Sequence, residues 1–186
     1  MIVCLAWGSL VWHPDGLPVV GGWSTDGPAL PLEFARESED GRMTLVVVDH
    51  DRPVPVLWAK LGVSDIEQAG AALRLREKVR FDGAIGRWPA MARRNACDDV
   101  IGAWMDAKGF DGVVWTALRP GMRADRDSGS YATPSLERIE RHLAALTPEA
   151  LTRAALYVRS APEQIVTPYR LALELMLADA SNGAIP

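Results

Sequence analysis

The chain opens Met1-Ile2-Val3-Cys4-Leu5-Ala6-Trp7-Gly8-Ser9-Leu10-Val11-Trp12-His13-Pro14. Residues 2–6 are a short apolar run with β-branched side chains early, the composition of a buried strand. Gly8-Ser9 ends the run, and side chains this small let backbone N–H groups come close to a ligand. An apolar strand that ends in a tight turn of amides is one physical recipe for an anion or oxyanion site. An ordinary strand end has the same composition, so both readings stand on these residues alone.

Working outward, residues 14–29 carry three Pro and four Gly and read as a long irregular connection. Three strand candidates follow. Leu30, Leu32 and Phe34 alternate with other residues; Met43 to Val48 comes after the turn signal Glu39-Asp40-Gly41; Val54 to Leu61 comes after His50-Asp51-Arg52-Pro53. Their close succession predicts an antiparallel meander. Ser64-Asp65-Ile66-Glu67 has the spacing of a capping box, Ser64 at the N-cap, opening a helix of about 13 residues. Residues 80–95, with Gly83, Gly86, Trp88-Pro89 and Arg93-Arg94, read as irregular. A second helix is expected over 97–108, with Val100, Ile101, Trp104 and Met105 on one face and Gly109 as its stop. Val113 to Leu118 is a strand expected to pair with the first one.

The remainder reads as helical. Thr133-Pro134, Thr147-Pro148 and Thr167-Pro168 each offer an N-cap hydroxyl followed by Pro at the first helical position. Leu136, Ile139, Leu143 and Leu146 give the first of these helices a core face; Leu151, Leu156, Leu171, Leu175 and Met176 are expected to do so for the others. Residues 119–132, with Arg119, Arg123 and Arg126 among Asp125 and Asp127, read as a solvated polar loop and a candidate lid.

The 186 residues fit one domain with a substantial core; 48% are hydrophobic and 24% charged, values of an ordinary globular chain. Net charge is −4 without long like-charge runs, which gives no nucleic-acid footprint. Neither a membrane span nor a secretory leader is evident, and Cys4 and Cys97 in apolar surroundings suit buried thiols in a reducing cytoplasm.

Helix periodicity singles out one carboxylate. At 100° per residue, Ile66, Ala69, Leu73 and Glu77 share a stripe, so the core face of this helix ends in Glu77. Burial and the helix dipole both disfavour a negative charge there, a setting suited to a group that takes and returns a proton. The competing arrangement pairs Glu77 with Arg74, Lys78 or Arg80 around the last turn. Elsewhere, Glu33 and Glu37 form a second carboxylate pair on a strand whose faces are expected to be solvated. His13, His50 and His142 lack metal-ligand spacing, and neither a nucleotide loop nor a hydrolase elbow is present.

The loop Trp7-Gly8-Ser9-Leu10 with Val11-Trp12-His13-Pro14, the strand candidates after it, and a helix ending in Arg76-Glu77 together resemble the γ-glutamylcyclotransferase superfamily and, within it, the ChaC-type branch. The resemblance covers residues 1–80 and, loosely, 113–118. It implies an α+β fold: a small mixed, barrel-like sheet with surrounding helices. Residues 1–132 would be the cyclotransferase-like core, and 133–186 a helical extension packed on the same domain. It implies an enzyme acting on a small-molecule γ-glutamyl substrate and releasing 5-oxoproline. Glu77 would be the acid/base, Trp7, Gly8, Ser9 and Leu10 would bind substrate, and neither cofactor nor metal is required. No nucleic-acid or membrane partner is implied. One departure is that Trp7 stands where the family has Tyr, which bears on substrate choice. Two rival readings remain: a non-catalytic protein that keeps the pocket to bind a metabolite or partner, and an esterase or amidase using Ser9 with His13 or His50 as base.

Overall fold

The first strand, β1 (Ile2–Ala6), is buried at all of its positions, which requires neighbours on both edges and cover on both faces. On one edge it pairs antiparallel with β7 (Leu57–Leu61), Val3 opposite Lys60 and Ala6 opposite Leu57. On the other it runs parallel to β9 (Gly112–Thr116), Ile2 opposite Gly112 and Cys4 opposite Val114, the pairing expected from the sequence. The structure, a computed structural model, describes residues 1–89 and 96–182; Arg93-Arg94 lie outside them. The sheet is extended by β2 (Val19–Ser24) beyond β7 and by β8 (Ile85–Trp88) beyond β9, giving the order β2-β7-β1-β9-β8. Parallel and antiparallel ladders thus share one sheet, and with six helices among the described residues the class is α+β.

The chain divides into two compact units, Met1–Leu30 with Pro53–Leu118, and Pro31–Arg52 with the chain from Arg119 onward. The first holds the five-stranded sheet, a two-residue ladder of β3 (Ala29–Leu30) with β6 (Val54–Pro55), helix α1 (Ile66–Glu77), a 3₁₀ turn at Asp82–Ala84 and helix α2 (Ala96–Lys108). Helix α1 lies on β1, β8 and β9. Cys4, Ala6, Leu10, Leu61, Ala69, Leu73, Ile85 and Val114 form the core between them.

Three expectations change here. The connection over 14–29 contains β2, which Gly21-Gly22 hide from a composition reading: Gly21 is left-handed (φ +80°) and the register against β7 shifts between Val20 and Ser24. Similarly, 80–95 contains β8, whose Gly86 leaves room for the Trp115 indole across the ladder. The meander does not form, because β7 leaves its predecessors and inserts between β1 and β2. In α2, Ile101 and Met105 face the core as expected, whereas Val100 is exposed. Asp26 ties the aromatic cluster Trp58, Trp104 and Phe110: its carboxylate accepts from Trp58 Nε1 at 2.7 Å and from Lys108 Nζ at 2.5 Å, and its carbonyl from Trp104 Nε1 at 3.0 Å.

The second unit is built on the hairpin β4 (Leu32–Glu37) and β5 (Met43–Val47), with helices α3 (Arg123–Asp127), α4 (Leu136–Ala144), α5 (Pro148–Ser160) and α6 (Arg170–Asn182). The segment 119–132 is not a free loop: Gly121 N–H donates to Ala35 O, Gly121 O accepts from Glu37 N–H, and Arg126 and Arg123 donate to the carbonyls of Glu37 and Ser38. Thr147-Pro148 caps α5 as expected, but α4 takes Ser135 rather than Thr133 as its N-cap. The α5 and α6 faces also differ from expectation. Leu156, Leu171 and Leu175 are exposed, while Ala154, Ala155, Tyr157, Leu173 and Leu177 are buried, so the core faces of both helices are rotated from those expected. No helix among the described residues is long and apolar enough to cross a membrane.

Thr167 does not cap α6; its hydroxyl donates to Glu33 at 2.8 Å. Glu33 is buried rather than solvated, and it also accepts the N–H groups of Phe34 (2.7 Å) and Tyr169 (3.0 Å). Glu37 accepts the Arg123 N–H at 2.8 Å. Burial raises the Glu33 pKa above its ordinary 4.5, partly opposed by these three donors and by His50. Folding therefore tightens its proton. The stability that this contributes is full below 4.5 and is lost as pH rises through the higher folded value. Urea unfolding of the native protein and Glu33→Gln from about pH 4 to about pH 8 should show the variant gaining on the native protein with rising pH. A stability gap that stays constant across that range contradicts the assignment.

Candidate active site

The chain leaves β1 at Ala6, bends at Trp7-Gly8 and turns over Ser9–Trp12. Two hydrogen bonds close the turn, Val11 N–H to Gly8 O at 2.9 Å and His13 N–H to Ser9 O at 2.8 Å. Their donors are Val11 and His13 rather than Gly8, Ser9 or Leu10, the residues whose amides the sequence reading assigned to an anion. Trp7, Gly8 and Leu10 are buried and Ser9 is half-buried. Leu10 anchors the turn in the core.

Helix α1 brings the second half of the site. Its N-cap is Asp65, one residue later than expected, with a carboxylate oxygen accepting from Gln68 N–H at 2.8 Å; the Gln68 amide reaches back to Ser64 and Asp65. Aspartate is the better acceptor for this end, and Gln68 takes the place expected of Glu67. At the other end Lys78 adopts the left-handed conformation (φ 53°), and its N–H closes on the carbonyls of Arg74 and Leu75. Between these caps Ala69 and Leu73 are buried, Ile66 is half-buried, and Glu77 is the last residue of the same stripe.

Glu77 pairs with its immediate neighbour Arg76, a partner the sequence did not single out. The Arg76 Nη1 to Glu77 Oε1 distance is 2.7 Å, and the two side chains are only 11% and 16% exposed. Consecutive helix residues do not usually face each other. Here Arg76 lies on the opposite flank of Leu73 from Glu77, and its long side chain folds over to reach the carboxylate. The same guanidinium holds the turn. Nε donates to the His13 carbonyl at 3.1 Å, Nη2 donates to that carbonyl as well, and Nη1 and Nη2 each stand 3.5 Å from Ser9 Oγ. Ser9 and Glu77, 68 positions apart in sequence, are thus gathered on one cation. The signal for Arg76 was present in its 69-73-76 spacing, which sets it at the edge of the core stripe.

Cys4, on β1 under this pair, is fully buried; burial pushes its thiol well up, the Glu77 carboxylate adds to the shift, and Arg76 opposes it. The thiol is therefore a packing group rather than a nucleophile. Ser9 Oγ faces a guanidinium, which cannot take a proton, and both ring nitrogens of His50 are engaged, with Leu32 O and Arg52 N–H. The contact of His13 with Arg76 is through its carbonyl.

Fold and site together define an α+β protein in which a carboxylate–guanidinium pair closes on the turn after the first strand. No protein-family model matches the chain, and no curated protein sequence matches it. Among solved structures, a γ-glutamyl cyclotransferase specific to glutathione, from yeast, is similar over 96% of this chain and 98% of its own, at 13% identity and a TM-score of 0.40.

A double-mutant cycle on Arg76→Ala and Glu77→Ala should give a coupling of about 1–3 kcal/mol, since either single change leaves its partner's charge half-buried and uncompensated. Denaturant unfolding of the four proteins measures it; additivity within about 0.3 kcal/mol would exclude the pair.

Proposed function

We propose that this chain is a γ-glutamylcyclotransferase-like enzyme that releases 5-oxoproline from a γ-glutamyl amine or peptide. The reading rests on the resemblance of its first 80 residues to that family, and one observation carries it: the Ser9 turn and Glu77 are bound to the same guanidinium.

In the proposed reaction the α-amine of the γ-glutamyl group attacks its own γ-carbonyl carbon. The new carbon–nitrogen bond closes a five-membered ring, and the bond from that carbon to the leaving amine breaks. Glu77 takes the proton from the attacking ammonium and delivers one to the departing nitrogen. Arg76 holds the Glu77 carboxylate against the turn. Holding the substrate folded back removes much of the entropic barrier; oriented intramolecular attack is worth on the order of 7–11 kcal/mol. The amides of Gly8, Ser9 and Leu10 would receive the substrate carboxylate or the oxyanion that develops on the γ-carbonyl oxygen. No step draws on a cofactor or metal.

A second reading, a metabolite-binding protein without turnover, is favoured by one observation. Trp7 places a buried indole where the family has a phenol, which removes a hydroxyl and adds bulk at the substrate loop.

Assays of 5-oxoproline release from a panel of γ-glutamyl compounds separate the two. The native protein should turn over at least one member, and Glu77→Gln should lower that rate by about 10²- to 10⁴-fold. Release that is unchanged in Glu77→Gln removes the acid/base role, and ligand binding without any release supports the second reading.

A further inference from the structure

We propose that Arg76 is the residue that recognises the substrate's α-carboxylate, through the Nη1/Nη2 edge of its guanidinium. The proposal rests on the function proposed above and names the subsite within it. A guanidinium has five N–H groups and binds a carboxylate best through two parallel bonds from one edge. In Arg76 the Nε–H and one Nη2–H are taken by the His13 carbonyl, and one Nη1–H by Glu77. The remaining N–H on each terminal nitrogen points to Ser9 Oγ, and both distances are 3.5 Å, the outer limit of a hydrogen bond. A single hydroxyl oxygen at that distance leaves the two donors poorly engaged. Two carboxylate oxygens in its place would draw both to normal length.

The surroundings fit that occupant. The forked edge faces the Ser9 turn, so an anion held there lies against the segment whose amides at Gly8, Ser9 and Leu10 are not used to close the turn. The side chain is 11% exposed, so the bonds form largely out of water, where charged hydrogen bonds discriminate most. The pair as a whole is matched to an α-amino acid group: Arg76 faces the carboxylate, and Glu77 beside it faces the ammonium whose proton it removes. Substrate binding thus adds one charge of each sign to a site that already holds one of each. Arg76 acts by positioning and recognition.

Isothermal titration tests this with a γ-glutamyl compound that the native protein turns over, compared with the same compound as its α-carboxamide, using Glu77→Gln as the background to prevent turnover. That background should bind the carboxylate form on the order of 10- to 100-fold more tightly than the carboxamide. In R76Q/E77Q, where no charge is left unpaired, the preference should vanish; in R76K/E77Q, which restores the charge but not the fork, it should return in part. Thermal unfolding of each variant confirms that it is folded. A preference that persists undiminished in folded R76Q/E77Q overturns the role of Arg76 and leaves the proposed reaction standing. A preference absent from Glu77→Gln, with turnover by the native protein intact, overturns it likewise. Absence of turnover in the native protein overturns the proposed reaction, and this subsite falls with it.

Discussion

The full burial of β1 is the constraint from which the rest of the site-bearing unit follows. A strand with no exposed residue must be paired on both edges, and β7 and β9 supply those edges in opposite senses. With the sheet fixed, one of its faces needs a cover of similar length. From Ile2 to Gly8 the extended chain spans about 20 Å, and α1 from Ile66 to Glu77 spans about 17 Å. Ile66 lies against Gly112, beside the start of β1, so the far end of the helix arrives where β1 ends. Glu77 meets the Ser9 turn because a strand and a helix of matched length run alongside each other from a common origin.

Much of this was legible in the sequence, because the strongest signals are periodic or compositional. The apolar run of residues 2–6, its parallel partner at 113–116 and the 66-69-73-77 stripe all follow from how often a side chain returns to one face. Elements that rely on a missing side chain were not legible. In β2, Gly21 and Gly22 look like breakers but form the bulge that lets the strand follow β7. In β8, Gly86 is the space beneath Trp115. A glycine chosen for close approach and one chosen for a turn are the same letter.

Side-chain reach was the other blind spot. Glu33 is a carboxylate on a strand and reads as solvated, yet three donors, two of them from residues more than 130 positions away, make its burial tolerable. Leu156, Leu171 and Leu175 read as core because leucine usually is, but α5 buries Ala154, Ala155 and Tyr157 and α6 buries Leu173 and Leu177, which leaves those three on the surface. For the candidate site the outcome was divided. Glu77 and the loop could be named from periodicity and resemblance. The sequence reading offered Arg74, Lys78 and Arg80 as partners of Glu77 and passed over Arg76, because rotamers as well as spacing decide where a long side chain ends.

Stability alone does not account for the Arg76–Glu77 pair, since two well-packed apolar residues of similar volume commonly serve a core as well as or better than a largely desolvated ion pair. Its arrangement says more. The cation spends its strongest bonds on Glu77 and on the His13 carbonyl, which fixes the carboxylate relative to the turn without any flexible intermediary. An acid/base group must lie within hydrogen-bond reach of the atoms it serves, and an error of about 1 Å is costly. A carboxylate on the last helical residue would otherwise swing with a fraying helix end. Binding it to a guanidinium that also grips the turn fixes the carboxylate relative to the turn through one side chain, and the left-handed Lys78 cap holds the helix end in place behind it.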